Sequence, residues 1–183
     1  MNKNEIRLGI KTRKALLSEQ EKKDAAYAAF AMLEKQASFM MAEHILMYHS
    51  LPDELSTRLF LEKWHGRKHF YLPRVNGVNL EILPYEKTTL RLGAFHIEEP
   101  DGDDIVDVSQ MELIIVPAVA YDRKGNRVGR GKGFYDRLLA AARATKIGMS
   151  YDFQIVDDID TDPHDVGVDL VITDKGVYKV RGS

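Results

Sequence analysis

The chain contains no cysteine. That absence removes disulfides, thiolate nucleophiles, iron–sulfur clusters and cysteine-ligated zinc together, and it fits a cytoplasmic protein. No apolar run approaches the ~18 residues that a membrane-spanning helix requires. The opening segment, Met1-Asn2-Lys3-Asn4-Glu5-Ile6-Arg7, is polar where a secretory signal would carry an apolar stretch. Net charge is nearly absent too: 26 Lys and Arg stand against 28 Asp and Glu, leaving −2. No global field therefore draws the chain to nucleic acid or membrane. Repeats, low-complexity tracts and Pro/Ser-rich linkers are also missing. With 44% hydrophobic and 30% charged residues, the 183 residues read as one globular domain, 1–183.

What charge there is, is unevenly placed. Residues 121–143 carry seven basic and two acidic side chains, whereas residues 152–174 carry eight aspartates and neither Lys nor Arg. A basic stretch followed by an acidic one suggests a site for anions, with room for a metal.

Hydrophobic spacing supplies the elements. Ser18-Glu19-Gln20-Glu21 is a capping box, and Ala26, Ala29, Phe30 and Leu33 follow at helical intervals, predicting a helix over 19–36. A shorter helix is expected over 3–16. Residues 44–48 read as a buried strand, and Ser56 or Thr57 as the cap of a helix holding Leu59, Phe60, Leu61 and Trp64. Residues 70–72 form a strand stopped by Pro73, and 80–83 a further one. Leu113-Ile114-Ile115-Val116 is apolar on both faces and ends at Pro117. A helix over 134–144 and strands at 147–149 and 170–172 complete the pattern. Near-continuous apolar strands alternating with helices predict an α/β fold of three layers, a mostly parallel sheet with helices on both faces.

Between the 113–116 strand and the next helix lies the most informative segment, in which Gly129, Gly131 and Gly133 alternate with Arg130 and Lys132. Glycine at every second position lets backbone N–H groups approach a ligand. A helix N-terminus near Phe134 adds positive potential, and Arg127, Arg130 and Lys132 add full charges. The segment follows a strand's carboxyl end, where open α/β sheets bind ligands, so it reads as a polyphosphate cradle. It is neither a Walker loop, which needs four residues between its first glycine and Gly-Lys, nor a G-x-G-x-x-G fingerprint. The competing reading is a solvated basic turn.

Residues 117–137 resemble the signature of the 5-formyltetrahydrofolate cyclo-ligases, also called 5,10-methenyltetrahydrofolate synthetases. The resemblance extends to Lys3 and Arg7, Tyr48-His49-Ser50 with Glu54, Leu72-Pro73-Arg74, Glu99-Pro100, and His164-Asp165 with Asp169. Ala118 departs from the family's usual glycine, and Arg130 and Lys132 stand where many bacterial members carry Tyr and Gly. The resemblance implies Mg- and ATP-dependent cyclisation of 5-formyltetrahydrofolate to 5,10-methenyltetrahydrofolate, with release of ADP and phosphate.

It also implies roles. Lys3 and Arg7 contact ATP, although by spacing alone they read as a solvated helix face. Arg127, Val128, Gly129, Arg130, Gly131, Lys132, Gly133, Phe134 and Tyr135 hold the nucleotide, with Arg130 and Lys132 as catalytic cations and residues 130–134 also bordering the folate. His49, Glu54 and Phe95 line the folate pocket. Asp136 and Asp165 hold magnesium; otherwise Asp136 is a helix-dipole partner and Glu54 a turn residue. Arg74 is expected at ATP or the folate's glutamate tail. The implied partners are a reduced folate and ATP, with no nucleic acid or membrane, and the chain is expected to be a monomer. Two alternatives are weighed beside this: a phosphosugar isomerase or coenzyme A transferase-like enzyme on a related scaffold, and an RNA-binding module using the basic loop.

Overall fold

The computed structural model describes residues 2–86, 90–92 and 98–180. Helix α1 spans Lys3–Lys14, where the Asn2 side chain accepts from the N–H groups of Asn4 and Glu5. Helix α2 spans Glu19–Glu34, and both halves of its capping box form: Glu21 N–H donates to Ser18 Oγ at 3.1 Å and Ser18 N–H to Glu21 Oε1 at 3.0 Å. A short α3, Ala37–Met41, leads into strand β1, His44–Leu46, and α4, Arg58–Trp64, connects β1 to β2, His69–Asn76. Next come β3 (Asn79–Pro84), β4 (Leu90–Leu92), β5 (Glu98–Pro100), β6 (Leu113–Val116), β7 (Ala120–Tyr121) and β8 (Arg127–Val128). Helix α5 (Phe134–Ala140) and strands β9 (Thr145–Ser150), β10 (Leu170–Thr173) and β11 (Val177–Lys179) follow.

Seven strands form one sheet in the order β11-β10-β9-β6-β1-β2-β3. The inner five run parallel, and β3 and β11 pair antiparallel at the edges. Alternation along the strands divides the core. Ile45, Leu113 and Ile115 join Phe30, Leu33, Phe39 and Phe60 from α2, α3 and α4 on one face. Leu46, Ile114 and Val116 join Leu139 of α5, Val108 and Met111 on the other. Helices thus cover both faces, and the expected three-layer arrangement is the one observed. Helix α1 sits apart from both clusters, packing Ile6 and Ile10 on Ala120, Val128 and Ile159. That contact carries its N-terminus to the site.

Four expectations change. Strand β2 runs through Pro73, which pairs with Ile82 of β3. On the opposite edge, β1 reaches only as far as Tyr71, whose carbonyl accepts from Met47 N–H, so the N–H that proline lacks has no strand to bond. Helix α5 ends at Ala140 rather than 144: the Ala141 and Ala142 N–H groups bond three residues back, to Leu138 O and Leu139 O. Thr57 precedes α4 but makes no side-chain cap; its hydroxyl donates to Tyr48 O instead, at 2.7 Å. The hairpins β4–β5 and β7–β8, helix α3 and strand β11 are additional to the expected elements.

Candidate active site

A cavity of about 740 Å³ opens where β1 and β6 end. These strands are neighbours, and the chain leaves them in opposite directions, β1 toward β2 and β6 toward β9. That crevice is the switch point at which open α/β sheets receive ligands. Tyr48 and His49 follow β1 on one side; Pro117 and Ala118 follow β6 on the other.

The glycine-rich loop forms one wall. Gly131 and Gly133 hold φ of 99° and 71°, left-handed values that side-chain-bearing residues resist. Helix α1 closes over this wall. Arg7 Nε donates to Gly129 O at 2.9 Å, and Lys3 Nζ donates to Asp165 Oδ2 at 2.5 Å and to Asp162 Oδ2 at 3.4 Å. Partial burial opposes the Lys3 charge, but the bonds and charges of Asp165 and Asp162 outweigh it and raise its pKa. The same contact, with the Asp162 N–H, overcomes burial at Asp165 and lowers that carboxyl. Arg127 lies beneath the loop with its side chain 4% exposed. Its Nη2 donates to Asp136 Oδ1 at 2.8 Å and its Nε to Val166 O at 3.2 Å.

The opposite wall is the segment after β1. The Glu54 carboxyl is pushed up by burial, against the pull of the Leu51 N–H and the Arg130 charge. Its Oε1 accepts from Leu51 N–H at 2.8 Å. Arg130 crosses between the walls, with Nη2 at 3.3 Å from Asp53 Oδ1 and 3.8 Å from Glu54 Oε2. Lys14 stands behind, its Nζ 3.8 Å from Asp53 Oδ2, and burial lowers its pKa. His49 Nδ1 lies 3.7 Å from Glu98 Oε2. Burial and the Arg58 charge hold its pKa below the ordinary value, against the pull of Glu98.

The donor set suits a hard divalent cation shared with phosphates. Asp136 uses Oδ1 for Arg127 and Val166 N–H, and Asp165 uses Oδ2 for Lys3 and Asp162 N–H. Both residues line the cavity, and each has a second carboxylate oxygen outside those bonds. Among the described residues no cluster of three or more His, Cys, Asp or Glu could hold a metal by itself. Two carboxylates completed by phosphate oxygens and water is the arrangement magnesium accepts.

The sequence profile of the 5-formyltetrahydrofolate cyclo-ligase family matches residues 1–174. The chain belongs to this family. The 5-formyltetrahydrofolate cyclo-ligase of Escherichia coli K12 is 31% identical over 177 residues, covering 91% of this chain and 97% of its own length. The solution structure of Aquifex aeolicus 5,10-methenyltetrahydrofolate synthetase superposes with a TM-score of 0.89 at 30% identity, covering 99% of this chain and 94% of that one. A Mycoplasma pneumoniae synthetase, 24% identical with a TM-score of 0.77, shares the fold.

Most residues that the cyclo-ligase resemblance singles out converge on the cavity: Lys3, Arg7, His49, Glu54, Arg127, Asp165 and residues 129–136. Val128 does not; it is fully buried and faces α1, because β8 alternates and Arg127 takes the cavity side. Arg127 differs in role, since a buried guanidinium needs a compensating charge and Asp136 provides it. Arg74 turns away to pair with Glu81 at 2.6 Å, because it lies on the β2–β3 ribbon rather than at its end. Phe95 lies outside the described residues. Sequence reasoning missed Lys14, Thr57 and Glu98, which no motif marks.

Proposed function

We propose that this chain catalyses the ATP- and magnesium-dependent cyclisation of 5-formyltetrahydrofolate to 5,10-methenyltetrahydrofolate. One observation carries the reading: a single cavity joins a cationic glycine loop to a wall bearing a partly buried carboxylate, with Arg130 reaching from one to the other. Membership of the family supports the same activity.

The chemistry to be overcome is that of an amide. The formyl carbon on N5 is a weak electrophile, and its oxygen is a poor leaving group. Transfer of the γ-phosphoryl of ATP to that oxygen releases ADP and converts the oxygen into a phosphate ester. The N10 lone pair then attacks the activated carbon, N10 loses its proton, and the C–O bond breaks to release phosphate. Positioning and charge stabilisation supply most of the catalysis.

The residues divide accordingly. Lys3, Arg7, Arg127 and residues 128–135 form the nucleotide side, where Lys132 and Arg130 offset the charge on the transferring phosphoryl group. Arg127 acts there through Asp136, and Val128 through the packing of α1. Glu54 accepts hydrogen bonds from the pterin's N–H groups, and His49 borders the same ring; Phe95 belongs to this side by family resemblance. The carboxylates of Asp136 and Asp165 would hold magnesium, which supplies charge neutralisation and alignment of the phosphates. A cytoplasmic monomer acting on small molecules fits this reading, and among the described residues no helix is long and apolar enough to cross a membrane. The covered faces of the sheet favour it over an RNA-binding platform.

The test is incubation with 5-formyltetrahydrofolate, with and without Mg-ATP, following the methenyl product by absorbance and phosphate in parallel. Product and equimolar phosphate are expected only with the complete mixture. Product without phosphate release, or none at all, refutes the reading.

A further inference from the structure

Residues 48–57 contain neither helix nor strand, yet they carry His49 and Glu54. Their polar backbone groups must therefore find partners outside any ladder. Thr57 supplies them. It is fully buried, and so is Ser50 beside it. Thr57 Oγ1 donates to Tyr48 O at 2.7 Å and accepts from Ser50 N–H at 3.1 Å. The exchange is reciprocal, because Thr57 N–H donates to Ser50 Oγ at 3.1 Å. The Tyr48 hydroxyl adds a bond to Leu55 O at 3.1 Å. The result is a ring of short bonds closing the two ends of the segment on each other.

We propose that Thr57 is a positioning residue for folate: through Tyr48 and Ser50 it fixes the loop that presents His49 and Glu54 to the cavity. The proposal rests on the assignment of Glu54 and His49 to the folate side. Thr57 does not itself line the cavity, so it acts only through the loop. A side chain of the same shape without the hydroxyl leaves two buried backbone groups, Tyr48 C=O and Ser50 N–H, without their partner. The native ring restricts the loop to one arrangement before substrate arrives; without it, binding must also order the segment. The nucleotide wall hangs from β6 and α1 and shares none of the ring's bonds; it meets the loop through Arg130 at Asp53 and Glu54, so ATP binding is expected to feel the change less than folate binding.

The experiment compares Thr57→Val with Thr57→Ser, measuring KM for 5-formyltetrahydrofolate and for ATP separately, alongside thermal unfolding. Thr57→Val is expected to raise the folate KM roughly 10- to 100-fold, the scale set by two unpaired buried groups, while the ATP KM stays within about twofold. Thr57→Ser keeps the hydroxyl and is expected to return the folate KM to within about threefold of the parent. If Thr57→Val does not fold, Ser50→Ala, which removes a single bond of the ring, is expected to raise the folate KM about 3- to 10-fold. A folded Thr57→Val with unchanged folate KM overturns the proposal, as does an equal rise in both KM values. Glu54→Gln separates the two levels of inference. If it leaves the folate KM unchanged, the assignment of the folate wall fails. If it raises that KM while Thr57→Val does not, only the positioning role fails.

Discussion

Replacing Arg127 by methionine distinguishes two roles for a cation beneath the glycine loop. In the structure Arg127 lines the cavity, but its charge is engaged by Asp136. Breaking a buried ion pair by removing one partner costs about 3–5 kcal/mol. Here the Asp136 side chain remains 25% exposed, so water recovers part of the loss and about 2–3 kcal/mol is the better figure. For a chain of this length that corresponds to a fall in Tm of roughly 4–12 °C. Asp136→Asn keeps an acceptor for Arg127 and Val166 but loses the charge, costing about 1 kcal/mol. Because both variants disrupt one contact, the double variant should lose less than their sum, by about 1–2 kcal/mol. Function should follow the same coupling. The magnesium concentration for half-maximal activity is expected to rise about tenfold in both single variants, as for residues that orient a metal ligand. The ATP KM at saturating magnesium should move little. Thermal unfolding and magnesium titrations of the four proteins measure all of this. Additive stability losses, or an unchanged magnesium midpoint with a raised ATP KM, would refute the reasoning and place Arg127 on the phosphates.

Two further expectations concern other parts of the molecule. Burial raises the Glu54 carboxyl above its ordinary 4.5, so its charge is complete at high pH and is lost as pH falls through that raised value. The folate KM should therefore climb as pH falls through that raised value, at higher pH than an ordinary carboxylate would show, and Glu54→Gln should abolish this limb; a flat profile in the parent chain contradicts it. At Gly148, an added Cβ would collide with Tyr121 Cε1, in a fully buried ring held by its bond to Val116 O. Gly148→Ala should destabilise the chain by about 1–3 kcal/mol, seen as a lower Tm, and an unchanged Tm would mean that the ring can shift.

The inner strands were legible because being buried on both faces leaves a run such as Leu113-Ile114-Ile115-Val116, which no amphipathic element resembles. The capping box at Ser18 was equally readable, since both partners lie within four residues. The short hairpins were not. Strands β7 and β8 are two residues each, below the length at which alternation can be seen. Pro73 misled because its tolerance depends on where β1 ends, a fact of the sheet and not of the segment. At the site, the glycine spacing marked a loop that lies along the cavity, but the sequence is silent on which cation keeps its charge for a ligand. Arg127 and Arg130 are three residues apart, yet β8 turns the first inward to Asp136 while the second crosses to Asp53. Thr57 looked like a helix cap because its hydroxyl stands at the right place in the chain; its oxygen accepts instead from Ser50 N–H, seven residues earlier, while its proton goes to Tyr48 O.

The two halves of the cavity hang from adjacent parallel strands, and that neighbourhood sets a gauge. Hydrogen-bonded strands keep a separation of about 4.8 Å whatever their side chains. The offset between the bases of the two walls is therefore a property of peptide geometry, kept through any exchange of residues along either loop. Variation in those loops can retune what is held and how tightly, while the roots of the two walls stay at the same spacing.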